Sequence, residues 1–490
     1  MAPTRVAASA AKKNCVDLWL NLAAEVRPGE AGTALLLALN AFSLLAACYL
    51  LKPVREALIL AGGGAEIKSY SGAVAAALLL FIIPAFGAFA SRVNRIRLIT
   101  GVSLFFIATL LMFCALTKTT LRLGVPFYLW VGIFNVMVVA QFWSFANDLY
   151  TEEEGKRLFA IVGVGSATGA IAGAKMARYL AVDSSMLAAA AVLALGLVLT
   201  RLIDHRERGL TRRSATRPQV IEPLGREGGF QLALRQRYLL LIGLLTMVIQ
   251  MVNTNGEYVL GCAFKGAAKA AIALGAGASE KQLINAYYTD FYFWQNLLVA
   301  VLQLFLVSRI IKRLGVSRAL FVPPLLSLGG WGLIVAAPML AAIRLAKLVE
   351  NSTDYSLENT LRHSLFLPTS REAKYKAKQV VDSFFWRAGD MLSAVTVFAC
   401  VRLYEGQAVA AVNAGLGVFW LLLVGAIVRE HRRLAAGSPL DSPVVRPRQV
   451  FSWFFRFSYV RGQEVDPASE LAVSASGGGK CRFKERGPRE

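Results

Sequence analysis

Apolar residues run along this chain in blocks of twenty or so, separated by short basic or glycine-rich breaks. A helix needs about 20 mostly apolar residues to cross a bilayer. The blocks predict twelve spans, near residues 33–60, 71–91, 98–117, 126–147, 158–178, 183–203, 238–263, 286–308, 318–337, 339–361, 379–401 and 407–428. The tenth is too polar for hydropathy to find. It is kept because it lies between two loops whose charges demand a crossing.

Lysine and arginine test this count, because they accumulate on the cytoplasmic side. With the N-terminus inside, the cytoplasmic segments hold 39 Lys/Arg and the outer loops 9. Lys68 is among the outer ones. With charges at span ends counted in the adjoining loops, five more lie within spans: Lys52, Arg55, Arg344, Lys347 and Arg387. Both termini are therefore expected in the cytoplasm. No cleavable signal peptide is expected, since the first 32 residues lack an apolar core. Cys15–Val26 reads as a short amphipathic helix, and Val450–Val460 as one apolar patch in a disordered tail.

Composition agrees. Of 490 residues, 56% are hydrophobic and 17% charged, with a mean hydropathy of +0.52; ordinary soluble chains are about 45–50% apolar and about 25% charged. The net charge of +22 would suggest nucleic acid in a soluble protein. Here the basic residues sit in loops and tails, so no nucleic-acid partner is expected. The six cysteines and three histidines show no metal-ligand spacing. No metal, no cofactor and no enzymatic activity are expected.

The basic stretch 204–237 divides the chain into a half at 33–203 and a half at 238–428, flanked by an N-terminal segment 1–32 and a basic tail 429–490. Two landmarks repeat at one offset. Ser91 and Ser308, each beside a basic loop, are 217 apart; Glu154-Gly155-Lys156 and Glu372-Ala373-Lys374 are 218 apart. A six-helix repeat explains both, and such repeats put the substrate site between the halves. The loop with Gly87, Arg92 and Arg95 resembles the loop signature of the major facilitator superfamily, with Ser91 in place of its aspartate and Asn94 in place of its glycine. The expected fold is all-α: a polytopic membrane protein with twelve transmembrane helices in two six-helix halves, major-facilitator-like.

Charges inside spans are costly, roughly 2.5–3.5 kcal/mol each on insertion scales, and mark function or matched pairs. Span 1 carries Lys52, Arg55 and Glu56 beside Pro53. Span 7 carries Asn253, Asn255 and Glu257 beside Gly256. These breakers predict interrupted helices at matching places, with Glu56 and Glu257 as repeat partners. Span 10 carries Arg344, Lys347, Glu350, Asp354 and Glu358 at steps of three and four, which share one face; that stripe either lines a cavity or neutralises itself. Span 8 carries Asp290, and span 11 Asp382, Arg387 and Asp390. Asp148 ends span 4. Gly165, Gly169 and Gly173 in span 5 predict close helix packing rather than phosphate binding.

Four segments carry a resemblance: LKPVREALILAGGGAEI (51–67), FWSFANDLYTEEEGKRLFAIVGVGS (142–166), NTNGEYVL (253–260) and YKAKQVVDSFFWRAGD (375–390). In their order and spacing the chain resembles the ATP/ADP translocase family, from about Arg27 to Arg433. The resemblance implies nucleotide transport, by exchange of ATP for ADP and phosphate or by proton symport. It places the family's important charges on Lys52, Glu257 and Lys378, with Asp382 one turn further on. The family also carries an acid in its fourth helix, where this chain has Asn135 and Gln141. Substrate contacts are expected from Lys52, Arg55, Asn253, Glu257, Lys347, Lys378 and Arg387. Coupling or salt-bridge roles are expected from Glu56, Asp148, Glu350, Asp382 and Asp390. Tyr258, Tyr292 and Trp386 are candidates to stack on a base. The expected partners are ATP or ADP and membrane lipid, for a monomer in a bacterial inner membrane, with an organelle envelope as the other host. A transporter of a cationic or zwitterionic solute, and a membrane sensor, are the alternatives that the eight acids within spans keep open.

Overall fold

The computed structural model describes residues 30–90, 93–150, 152–211, 229–370, 373, 377–404 and 408–437. The expected amphipathic helix at 15–26, the centre of the basic linker and the apolar patch at 450–460 lie outside the described residues. Every described element is helical. The first group is α1 (Ala31–Ala90), α2 (Arg95–Leu116), α3 (Gly124–Leu149), α4 (Glu152–Ala177) and α5 (Val182–Thr211). A short α6 (Gly229–Arg235) leads into α7 (Arg237–Ala273) and α8 (Glu280–Val301). Then come α9 (Ser308–Ala319), α10 (Val322–Ala336), α11 (Leu340–Thr353), α12 (Asn359–Ser364), α13 (Lys378–Val380), α14 (Trp386–Tyr404) and α15 (Ala408–Gly437).

At 60 residues α1 is far too long for one crossing. It turns at Gly64, whose φ of 87° lies where only glycine sits without strain. Its two arms therefore cover the first two expected spans. Eight described helices are long and apolar enough to cross a membrane, or nine if the segment 280–336, bent by 82°, is one span. The polar segment 340–364 passes no such test, so twelve crossings remain an inference from the sequence.

The expected interruptions at Pro53 and Gly256 do not occur. Both α1 and α7 run helically through them. Gly256 serves a close approach instead: a Cβ there would come within 2.7 Å of Lys347 Nζ and 2.8 Å of its Cδ. Pro53 lies amid fully buried neighbours, Leu51 and Val54, and packing of this kind holds a proline-containing membrane helix together. The helices depart from regular α geometry elsewhere, in π-helical turns at Leu302–Val307, Asp354–Glu358 and Val381–Phe385.

Packing is centred on α1 and α7. Helix α1 lies along α3, α4 and α5; α7 lies along α11, α14 and α15; and α1 also meets α7, α8 and α14. The outer faces are apolar, with Phe81, Leu195, Val198 and Leu422 among the exposed side chains. The interior holds paired amides and hydroxyls. Asn255 Nδ2 donates to Asn413 Oδ1 (2.8 Å), Ser393 Oγ donates to Asn255 Oδ1 (2.7 Å), and Asn40 Nδ2 donates to Thr200 Oγ1 (2.8 Å). Apolar outside and polar within is the arrangement a bilayer selects.

The glycine stripe of α4 presses on α1. A Cβ on Gly165, Gly169 or Gly173 would fall on the backbone carbonyls of Ala38, Phe42 or Ala46. Gly169→Leu is expected to lower stability by about 1–3 kcal/mol or more through overpacking, read as thermal unfolding in detergent. Gly425→Leu is the control, because nothing lies within 4 Å of a Cβ at Gly425.

Candidate functional site

A cavity of about 360 Å³ lies between α1 and α3 on one side and α7, α8, α11 and α14 on the other. Lys52, Arg55, Asn253, Glu257, Asp382, Arg387 and Asp390 line it, as do Tyr258, Tyr292 and Trp386. Lys347, Glu350, Glu56, Lys378 and Asp148 lie outside the lining.

Lys52 and Arg55 sit one turn apart on α1 and so face the same way. The Lys52 ammonium lies 3.9 Å from the centre of the Tyr49 ring and 5.9 Å from that of Tyr292; the Arg55 guanidinium lies 4.8 Å from Tyr128. Aromatic faces attract cations, so the rings steer both heads along the cavity wall. Arg55 also pairs with the fully buried Glu56.

One residue of the site was misplaced by the sequence. Lys68 belongs to the helical arm after Gly64, is 4% exposed and lines the cavity. Its Nζ is 2.7 Å from Glu56 Oε2, 3.2 Å from Glu257 Oε2 and 3.3 Å from Tyr288 Oη. One buried lysine thus holds the two acids read as repeat partners, one on α1 and one on α7. The expected spans 33–60 and 71–91 left it in the loop between them. The other oxygen of Glu257 accepts from Asn351 Nδ2 (3.2 Å).

On the far wall, Asp390 collects donors. Gln250 Nε2 is 2.6 Å away, Thr254 Oγ1 2.9 Å and Arg387 Nη1 3.3 Å. Asp382 faces Arg362 at 3.7 Å, and the Arg362 guanidinium lies over Trp386. Four amide atoms in the lining, Asn135 Oδ1, Gln250 Oε1, Asn296 Nδ2 and Asn351 Oδ1, are buried without a hydrogen-bond partner. Such groups are costly to leave unpaired and suit a ligand with its own donors and acceptors. Asn296 was legible as part of a Gln-Asn pair inside an apolar run.

The charged stripe of span 10 divides. Arg344 reaches across to Asp290. Lys347 is fully buried against α7, 2.8 Å from Glu350 Oε1 and 3.2 Å from Asn253 Oδ1. Asp354 accepts from Asn253 Nδ2 at 3.2 Å. Asp148 pairs with Arg95 at the ends of α3 and α2. Lys378, half-buried in α13, stands at the start of the eleventh segment, away from the cavity.

Several described contacts between residues 31–211 and residues 237–437 lie at one end of the bundle. There Lys68 meets Glu257, Arg178 lies 3.8 Å from Asp290, Lys175 covers Phe293, and Tyr70 meets Phe398. The cavity extends from this end to Asp382 at the opposite end of the α14 segment.

Comparison with known proteins places this arrangement. A family model described as TLC ATP/ADP transporter matches residues 127–203. ADP,ATP carrier protein 1 of Chlamydia trachomatis is 23% identical over 299 residues, 52% of this chain and 54% of that protein. Its counterpart in Chlamydia muridarum is 23% identical over 329 residues, 55% of this chain and 60% of that one. The match spans little more than half the length of these relatives. Among solved structures, an auto inhibited POT family peptide transporter superposes with a TM-score of 0.56 at 11% identity, covering 86% of this chain and all of that one. A nucleoside transporter, NupG, gives 0.54 at 11% identity, covering 82% and 98%. The chain is an all-helical membrane protein with a major-facilitator-like fold, and its resemblance to the ATP/ADP translocases extends from sequence motifs to a matching family model and chlamydial carriers.

Proposed function

We propose that this protein is a secondary transporter that moves nucleotides, by exchange of ATP and ADP or a related nucleotide cycle, through alternating access of the cavity to the two faces of a membrane. The observation that carries the reading is the set of four cations around one cavity, Lys52, Arg55 and Lys68 on one side and Arg387 on the other. A nucleotide tail brings three to four negative charges. Arginine meets phosphate with a planar fork and lysine as a point charge. Tyr258, Tyr292 and Trp386 offer faces for the base, and the unpartnered amides offer hydrogen bonds to base or ribose.

The halves 33–203 and 238–428 would rock about the cavity, with 204–237 as a cytoplasmic linker and 429–490 as a cytoplasmic tail. With both termini inside, the end holding Lys68 and Asp290 would face outward, and the Asp382 end of the cavity would face the cytoplasm. Lys68 then counts as a site residue rather than an outer-loop charge, and the charge asymmetry is essentially unaltered. The chain would work as a monomer in a bacterial inner membrane.

A thermal-shift screen tests the substrate class. A ligand at 100 times its dissociation constant stabilises by about 2.7 kcal/mol. ATP and ADP are expected to raise the unfolding temperature, while amino acids and organic cations leave it unchanged. Glu257, Asp382 and Asp390 in the same lining favour a second reading, a cationic or zwitterionic solute. A shift with those compounds and none with nucleotides would establish it.

A further inference from the structure

A second, smaller cleft lies behind the cavity wall, lined by Ile249, Asn253, Pro323, Glu350, Asp354, Glu358 and Trp420 among others. It measures about 10 Å³, close to the ~10–15 Å³ that one water needs. Three carboxyl groups reach it within little more than two turns of one helical segment. Two have partners: Glu350 has Lys347, and Asp354 has Asn253. Glu358 differs. It is 2% exposed, and its Oε1 is buried with no hydrogen-bond partner. On the facing wall, Trp420 is 4% exposed and its Nε1 is also buried without a partner. An indole N–H is a donor only, so a donor lacking an acceptor and an acceptor lacking a donor line the same small space.

The charges around Glu358 make an ionised carboxylate expensive there. A second carboxyl, that of Asp354, lies one turn before it. Arg362, one turn after it, is turned toward Asp382, Asn359 and the Trp386 ring; His363 follows Arg362. Lys347 is engaged by Glu350 and Asn253. The elements packed on Asp354–Glu358 include α8, the turn Leu302–Val307 and α10. The last two contain no titratable residue, and those of α8 lie at or before Tyr292. The stretches of α7 and α15 that line the cleft add none. A buried, unpaired carboxylate costs far more than a carboxylic acid that can donate.

We propose that Glu358 is a proton-binding site, linked to the substrate cavity through Asn253. The proton joins a Glu358 carboxylate oxygen from water and returns to water; only that O–H bond forms and breaks. Asn253 lines both spaces, accepting from Lys347 and donating to Asp354. An anion in the cavity that draws on Asn253, and through it on Lys347, changes the charge felt at Glu358. The link to transport rests on the nucleotide reading; the protonation itself does not.

Infrared difference spectroscopy of the full chain in lipid vesicles, titrated between about pH 6 and pH 9, tests this. The C=O band of a protonated carboxyl is expected to fall as pH rises and to be missing in Glu358→Gln. Should that variant fail to fold, Trp420→Phe keeps the carboxyl and removes the facing N–H; the band is then expected to move in frequency and midpoint. The proposal is overturned if the titrating band survives in Glu358→Gln, if the Glu358 band is constant over the range, if Trp420→Phe leaves it unmoved, or if the signal follows sodium rather than pH. Adding ATP is expected to shift the midpoint. If ATP binds and the midpoint stays, the link through Asn253 falls. If ATP produces no thermal shift while the band still titrates, the proton site stands and the nucleotide reading falls.

Discussion

Lys68→Met is expected to lower stability by about 3–5 kcal/mol, the usual range for removing one partner of a buried ion pair. The lysine is held by two acids, Glu56 at 2.7 Å and Glu257 at 3.2 Å, and its side chain is 5% exposed. Without it, Glu56 keeps Arg55, while Glu257 keeps the Asn351 amide and the more distant charge of Lys347. Lys68→Arg retains the charge and should recover part of the loss. The double variant Lys68→Met with Glu257→Gln removes the orphaned charge and should recover most of it. Transport should stay impaired in the double variant, because the pair joins α1 to α7 at the end of the bundle where Arg178 also meets Asp290. Unfolding in detergent reads the first effect and vesicle uptake the second. A single Lys68→Met variant as stable as the parent would show that the pair holds nothing together.

The second large effect concerns Arg387. Its partner Asp390 already receives hydrogen bonds from Gln250 and Thr254. Removing the guanidinium therefore leaves a carboxylate with two donors, and Arg387→Gln should cost only about 1 kcal/mol of stability. If the arginine grips an anionic tail, affinity for ATP should fall about ten- to hundredfold, the equivalent of about 1.5–3 kcal/mol. Arg387→Gln with Asp390→Asn separates the roles. Continued loss of ATP binding in this stable, neutral pair marks a ligand contact. Recovery of binding marks an arginine that only balances its neighbour. Lys52→Gln is expected to behave like Arg387→Gln, since Lys52 lines the same cavity from α1.

Much of this architecture could be read from the chain because a bilayer imposes length and polarity on each helix. Several polar and charged positions of the first, seventh and eleventh spans border one cavity: Lys52 and Arg55, Asn253 and Glu257, Arg387 and Asp390. The glycines of span 5 do pack against α1. What failed was local inference from breakers. Pro53 and Gly256 leave their helices whole because surrounding packing decides, and Gly256 is there to clear the stem of Lys347. Lys68 was lost because three glycines and a polar run look like a loop, while its partners Glu56 and Glu257 are distant or cross-helix contacts that no window contains. The π-helical turns have no compositional signature at all. The tenth segment was found only by charge alternation, because hydropathy does not register that Arg344, Lys347 and Asp354 meet partners on α7 and α8.

The most direct measurement is counterflow in proteoliposomes that contain the purified chain. Vesicles preloaded with ADP should take up labelled ATP faster than empty vesicles, and Lys52→Gln should slow that uptake. If folded protein moves ATP and ADP no faster than protein-free vesicles do, nucleotide transport is contradicted.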